Sequence, residues 1–592
     1  MSHNSIDLSY AYSAELFFSI QNLKKLDIRS NMLRPYNYDK EFNYPDHAFG
    51  VLRELTFLGI DMMPVPNFGR GFIQITNLRE LHFESCYLVR LSNETFQTFS
   101  SSVEELSLRN CQLHFVITEV GALCPFPHFR SLDFFGTFMH LTRALQLLNP
   151  YNNASITTIN LGHVSDLSID SDEFPYALTI TSDIMKNLKT ICIENLDLSQ
   201  NGIVDYRRGS LFSFDHPECL QHLSLKGNRL SLPNRKHQKE LNSFFGKTLR
   251  LKSLDYSYNV VNFIIKNSLN SNLNFTSSDG SYVILPKSVE KLDISFTIVN
   301  PLHPPLFIVP SINNLTHLDI SYTTTTVGMY FMTLRLETYI SAGTRYTLAW
   351  NELHLFPKNN IKTIVLKNAA LNDGIDNKGN NLFTNVQSVE TLDISENNIW
   401  YFSDDIFKLM QNLSNLYLTN NLLQSIPEQL NTLTKIKMLD VRNNLITSVS
   451  STIRNWADKM HEIHGMTLYL DGNAFECTCD NVDLIRWIQA TKVNLDSQSY
   501  KCKLLNGTII DPRIAYNSIS ELFVDCKSTM WLTFVPTLLS TFVTLSLLLV
   551  VYSKRWKIIF FTYGIIRRVV ERKVHKSYQY DVYISYEGEI AI

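Results

Sequence analysis

One spacing, L-x-x-L-x-L-x-x-N, recurs along this chain and restricts its fold more than any other feature. It is clear at Leu23, Leu26, Ile28 and Asn31. It returns at Ile193, Leu196, Leu198, Asn201 and at Leu220, Leu223, Leu225, Asn228. It is sharpest late, at Val389, Leu392, Ile394, Asn397, then Leu413, Leu416, Leu418, Asn421, then Ile436, Leu439, Val441, Asn444. A last copy ends Leu468, Leu470, Asn473. Degenerate copies end in Cys86, Cys111, Thr297 and Thr323 in place of Asn. About seventeen copies, mostly about 23–29 residues apart, make up residues 1–474.

The spacing has a physical cause. Side chains alternate along a strand, so both leucines of L-x-L point to one face. A single repeat cannot bury that face, whereas stacked repeats bury a continuous core beneath a parallel sheet. The closing Asn offers an amide to backbone groups that a sharp turn leaves unpaired. Cys86 and Cys111 fit that site as small buried residues, and zinc is disfavoured there because no nearby Cys or His has ligand spacing. Period and spacing resemble leucine-rich repeats. The expected fold is therefore an α/β solenoid, a parallel-sheet horseshoe.

Asp recurs at the outward strand position, at Asp27, Asp133, Asp197, Asp255, Asp293, Asp319, Asp393 and Asp440. Such a stripe is either a solvated sheet face or a surface for cations and basic ligands. The polar run between Asn259 and Thr297 exceeds one period and is expected to loop out of the solenoid. Net charge is −3, with no basic field to imply nucleic-acid binding.

Residues 475–527 read as a terminal cap. Four of the nine cysteines crowd there: Cys477, Cys479, Cys502 and Cys526. A solenoid end exposes an apolar edge, and disulfides stiffen a cap with little core of its own. Two crossed bridges are expected; a four-Cys zinc site is the competing reading, although it would want C-x-x-C pairs. The cap resembles the cysteine-rich C-terminal flank of leucine-rich-repeat receptors. That resemblance implies Cys477 with Cys502 and Cys479 with Cys526.

Residues 528–553 contain no charged side chain and exceed the ~20 apolar residues that span a bilayer. Lys554, Arg555, Lys557, Arg567, Arg568, Arg572, Lys573 and Lys576 follow the span, in a basic juxtamembrane segment covering 554–577. The positive-inside rule then puts the repeats outside and the C-terminus in the cytoplasm. The basic run could also hold the inner leaflet. N-x-S/T sequons at Asn93, Asn153, Asn274, Asn314, Asn412 and Asn506 become glycosylation candidates.

The tail, 578–592, contains Tyr580, Asp581, Val582, Tyr583, Ile584, Ser585 and Tyr586. This run resembles the first strand motif of Toll/interleukin-1 receptor (TIR) domains, with Tyr583 where Phe is usual. With the other parts, the chain resembles a Toll-like receptor. The resemblance implies a single-pass pattern-recognition receptor of innate immunity. It would bind a microbial or endogenous ligand, form homo- or heterodimers and recruit TIR-containing adaptors, with the plasma membrane favoured over the endosome. A family member would begin with a signal peptide, absent from Met1 to Tyr12, and end with a TIR domain of about 150 residues. The expectation is a chain truncated at both ends. A non-signalling decoy or regulatory form and a leucine-rich-repeat adhesion protein are the rivals. No phosphate loop, H-E-x-x-H or nucleophile elbow occurs. His461 and His464 read as a surface pair, and no enzyme activity, cofactor or metal is expected.

Overall fold

A computed structural model of the chain describes residues 2, 4 and 14–571, apart from 32–39, 85, 87, 112, 114–116, 166–176, 231–234, 260–281, 298–305, 309–312, 324–328, 331–334, 345–359, 373–374, 376–381, 384–385, 497–499, 505 and 523. The expected loop within 259–297, the sequon Asn274 and the motif at Tyr580–Tyr586 lie outside the described residues, wholly or in large part.

Eighteen short strands form one parallel sheet, in chain order, from Lys25–Asp27 to Asn494–Leu495. The register is unbroken along one apolar row. Leu26 pairs with Leu58, Leu58 with Leu81, Leu81 with Leu106 and Leu106 with Leu132. The row continues through Ile159, Leu196, Leu223, Leu254, Leu292 and Leu318. It passes Tyr339 and Ile364 before Leu392, Leu416, Leu439 and Leu468. All of these are buried. A second buried row lies two residues on, including Ile28, Phe83, Leu108, Leu198, Leu225, Ile294, Leu418 and Leu470. Period-two alternation puts both rows on the core side and the intervening residues on the other face, where most are half-buried and Ser107 and Asp440 are buried.

The Asn residues close each turn as the spacing predicts. Asn421 donates from Nδ2 to the carbonyls of Ile394 (3.1 Å) and Leu418 (3.0 Å). Its Oδ1 accepts from the backbone of Asn397 (2.9 Å) and Ile399 (3.0 Å). One side chain therefore ties two repeats together. Asn201, Asn228, Asn397, Asn444 and Asn473 bond in the same way and are buried. Thr does less: Thr297 and Thr323 donate to Tyr256 and Ile320 carbonyls through one hydroxyl. The residue before this site turns left-handed, as at Gln200, Tyr258, Phe296, Tyr322, Glu396, Asn420 and Asn443.

Two cysteine pairs correct the reading from sequence. Cys86 and Cys111 are not separate buried thiols but one disulfide, with Cα atoms 4.7 Å apart. Cys192 and Cys219, which carried no pairing expectation, form another, with Cα atoms 5.5 Å apart. Each joins neighbouring repeats. Chain separations of 25 and 27 residues correspond to about 3–4 kcal/mol of lost unfolded-state entropy per bridge.

Side chains behind the early strands form a continuous aromatic spine. Phe68 meets Phe72, Phe83 and Phe99 at ring distances of 5.5, 5.8 and 4.8 Å. Phe96, Phe126, Phe129 and Tyr151 extend it. Late in the array, the helix Ser451–His464 starts on a Ser450 cap and ends at Gly465, φ 68°. Its His461 and His464 ring nitrogens sit 3.0 and 2.9 Å from the Met466 and Thr434 carbonyls. The histidine pair thus fastens a helix C-terminus.

The chain divides into two compact units, one of residues 1–475 with 490–501, the other of 476–489 with 502–592. In the second, Cys477 is bonded to Cys502. That bridge packs with Ile485 and Ala515 in a small core, flanked by Val482, Leu504, Ile510 and Ile519. Cys479 is also disulfide-bonded; the Cys526 side chain lies outside the described ones. Residues 490–501, expected in the cap, belong to the first unit, where Asn494–Leu495 adds the last strand of the sheet.

Candidate functional site: the outward sheet face and the apolar helix

Every Asp of the predicted stripe does the same local work. Oδ1 of Asp27, Asp133, Asp197, Asp255, Asp293, Asp319, Asp393 and Asp440 accepts the backbone N–H two residues on. Each Asp thereby holds the chain as it leaves the strand. Asp27 and Asp440 also pair with Arg29 (2.8 Å) and Arg442 (2.6 Å). Asp255, Asp293 and Asp319 stand side by side in register. Burial and these two like charges push the Asp293 carboxyl up, against the lowering effect of Ser295.

Two patches were not visible in the sequence, one on this face and one in the turns that follow its strands. In the first, register sets Glu80 opposite Glu105, and His82 lies two residues beyond Glu80 on the same face. One ligand atom from each lies within 4.8 Å of the others. Burial, and then the Arg29 charge, lower the His82 imidazole below its ordinary range, while its ring packs 5.0 Å from Phe57. Burial and the neighbouring Glu80 and Glu104 raise the Glu105 carboxyl. If a cation binds the sheet, these residues are where it could sit. Sequence spacing alone gave no signal, because Glu105 is contributed by the next repeat.

The second patch is a stack of three rings. Tyr258 lies over Phe296 at 4.5 Å and Phe296 over Tyr322 at 4.4 Å, with near-parallel planes. Lys226 approaches the Tyr258 ring at 5.1 Å. The stack stops at Gly343, where a Cβ would come 2.2 Å from the Tyr322 ring. Its φ of 63° also favours glycine. A separate depression of about 510 Å³ is lined by Ile73, Thr76, Gln97, Phe99 and Pro125, with two serines, and holds no titratable group.

Five sequons lie on exposed asparagines: Asn93, Asn153, Asn314, Asn412 and Asn506. Asn314 and Asn412 accept from Arg335 and Lys435, both at 2.7 Å.

Beyond the cap, the helix Val524–Ser553 contains a 23-residue stretch, Trp531–Ser553, of mean hydropathy 2.2 and no internal burial. It is long and apolar enough to cross a membrane. Four of its hydroxyls are bonded within the helix: Thr537 donates to Phe534, Ser540 to Thr537, Thr541 to Leu538 and Thr544 to Thr541. That removes the cost of carrying them into hydrocarbon.

Residues 382–450 match the leucine rich repeat family model. Those residues carry leucine-rich repeats. Mouse (Mus musculus) trophoblast glycoprotein is 25% identical over 149 residues, covering 24% of this chain and 32% of that protein. The chain therefore matches about a third of that relative's length. Among solved structures, the mouse RP105/MD-1 complex aligns over 81% of this chain and 95% of that one, at 14% identity and a TM-score of 0.38. A leucine-rich-repeat protein of Leptospira interrogans aligns over 81% and 90%, at 17% identity and a TM-score of 0.37.

Proposed function

We propose that this leucine-rich-repeat protein is a single-pass receptor of the Toll-like kind, in which the outward sheet face and its margins bind ligand. The observation that carries the reading is the order of parts in one chain: a repeat sheet, a disulfide-bonded cap, an apolar helix, and then a run of cations. Positive charge after the helix supports a lumenal or extracellular sheet and a cytoplasmic tail. The motif Tyr580, Asp581, Ile584, Ser585, Tyr586 supports TIR-type signalling, in which ligand pairs two ectodomains and the tails gather TIR-containing adaptors. The flat face, with its stacked rings and carboxylates, suits a large ligand met over many repeats better than a small one enclosed in a pocket.

Topology and pairing test the reading together. On intact cells expressing the chain, glycosidase should increase mobility in a way that Asn412→Gln and Asn506→Gln reduce. Two differently tagged copies should co-precipitate more strongly after microbial extract is added. A chain without glycans, with its C-terminal tag exposed outside the cell, would overturn the orientation. Co-precipitation unchanged by any extract would remove ligand-driven pairing.

A further inference from the structure

The helix Arg555–Glu571 follows the apolar helix after one intervening residue, Lys554. Lys554 is the turn residue between the two helices, donating to Val550 at the end of one and accepting from Ile558 in the first turn of the next. Trp556, Ile559, Tyr563, Ile566 and Val570 recur at the three- and four-residue steps that align side chains along one helix face. All five are exposed, from 53% at Val570 to 71% at Trp556. Ile558, Ile565 and Val569 widen the arc and are exposed too. Lys557 and Arg568 lie on the opposite side, flanked by the exposed rings of Phe560 and Phe561. Between Lys554 and Val570 there are five cations and no acid.

The stretch Trp531–Ser553 is 23 residues long. At 1.5 Å per residue it extends about 35 Å, already enough for a ~30 Å hydrocarbon core. The next helix cannot enter the same core along the same direction. It starts within one residue of the membrane surface, carries a broad apolar arc, and bears only positive charge up to Val570. Arg555 marks the junction, with its guanidinium 4.4 Å from the Tyr552 ring and 5.7 Å from that of Trp556.

We propose that Arg555–Glu571 is an interfacial helix lying on the anionic leaflet of the membrane. Its Trp556–Val570 arc sinks to the headgroup–acyl boundary, and Lys557, Arg567 and Arg568 meet lipid phosphate and carboxylate groups. Continuity with the span and charge complementarity select phospholipid as the occupant over a second copy of the chain. The inference rests on the spanning reading of Trp531–Ser553. It adds that the segment entering the cytoplasm is held flat against the bilayer, which fixes the height and direction from which the tail begins.

The test uses the full chain in vesicles of phosphatidylcholine and phosphatidylserine. Cys124, the one free cysteine among the described residues, is exposed and is first changed to Ser. Single nitroxide labels are then placed at Ile559→Cys, Ile566→Cys, Lys557→Cys, Arg568→Cys and, within the span, Leu547→Cys. Collision with oxygen, which concentrates in lipid, is compared with collision with a water-soluble nickel chelate. The oxygen-to-nickel ratio at 559 and 566 is expected to exceed that at 557 and 568 by at least about threefold, as for a helix half sunk in the interface. Combining Lys557→Gln, Arg567→Gln and Arg568→Gln should lower the ratio at 559, and pure phosphatidylcholine should do the same. Equal, water-like ratios at all four sites would overturn the proposal. So would labels at 559 and 566 shielded from both reagents, which would mean that protein covers the arc. The Leu547 label separates the two readings. If it reports lipid while 559 reports water, only the surface helix fails; if it reports water, the span fails and the surface helix with it.

Discussion

The repeats around Phe83–Thr137 and those around Ile394–Asn473 build the same sheet in the same register, yet they close their turns with different chemistry. In the late region, the buried amides of Asn397, Asn421, Asn444 and Asn473 bridge from each repeat to the one before. In the early region the equivalent positions hold Cys86, Cys111 and Thr137. The two cysteines are joined to each other, and the Thr137 hydroxyl has no hydrogen-bond partner. Behind these early turns runs the phenylalanine spine; the late repeats have mainly aliphatic packing, with Phe402 and Phe407 in contact at 5.1 Å. A solenoid therefore needs its apolar rows in register and some tie between adjacent turns. An amide ladder supplies that tie through directional bonds, and a disulfide supplies it by covalent constraint. The family model match, 382–450, falls in the late version.

The contrast can be broken at its strongest point first. Asn421→Leu leaves the buried N–H groups of Asn397 and Ile399 and the Ile394 carbonyl without their partner, while the Leu418 carbonyl keeps Asn444. We expect a loss of about 3–5 kcal/mol. Amide exchange should rise at Asn397 and Ile399, and unchanged protection there would refute the amide ladder as the late region's tie. Next, Cys86→Ser with Cys111→Ser should cost about 3 kcal/mol, seen as faster proteolysis of the early repeats, while the late repeats keep their exchange protection. Equal loosening of both regions would show that they do not stabilise themselves separately.

A smaller effect is expected between the two regions. Gly343→Ala places a methyl against the Tyr322 ring at a left-handed position and should cost about 1–2 kcal/mol. Altered tyrosine fluorescence is the accompanying readout; an unchanged spectrum and stability would mean that the stack does not depend on its glycine stop. The smallest effect concerns acid. The His82 imidazole is held below 6.5 in the folded chain. Neutral His82 therefore favours the folded state above that value, and its contribution is lost as pH falls through the lowered folded value. His82→Gln should blunt the destabilisation of the early repeats as pH falls below 6.5. An NMR titration midpoint at or above 6.5 would contradict the assignment.

Much of the solenoid is legible in the sequence alone. Leu416 and Leu418, or Leu196 and Leu198, declare their shared face within three residues, and Asn421 or Asn201 declares the turn. The apolar helix was legible too, from composition alone. The eight aspartates were legible as a stripe but not as a device: their bonds to the backbone two residues on depend on how each strand ends. The juxtamembrane segment read as a run of charge, and its apolar arc emerged only once Arg555–Glu571 was seen as helix. The cysteine pairs show the boundary clearly. Cys477, Cys479, Cys502 and Cys526 cluster in sequence and announced a framework. Cys192 and Cys219 sit at unlike places in their repeats, one at a strand start and one in a short turn, so no motif links them.

What the sequence determined by itself was everything carried by periodicity within a repeat: the strand faces, the closing amides, the need for a cap and the apolar helix. Side-chain alternation and local hydrogen bonding act over a few residues, so they are written where they act. Only the tertiary structure decided what happens between repeats. The Cys86–Cys111 and Cys192–Cys219 bridges, the Tyr258–Phe296–Tyr322 stack and the meeting of Glu80, His82 and Glu105 all join residues brought together by strand register. That register is a property of the stacked sheet, set by the burial of two continuous apolar rows, and no single repeat contains it.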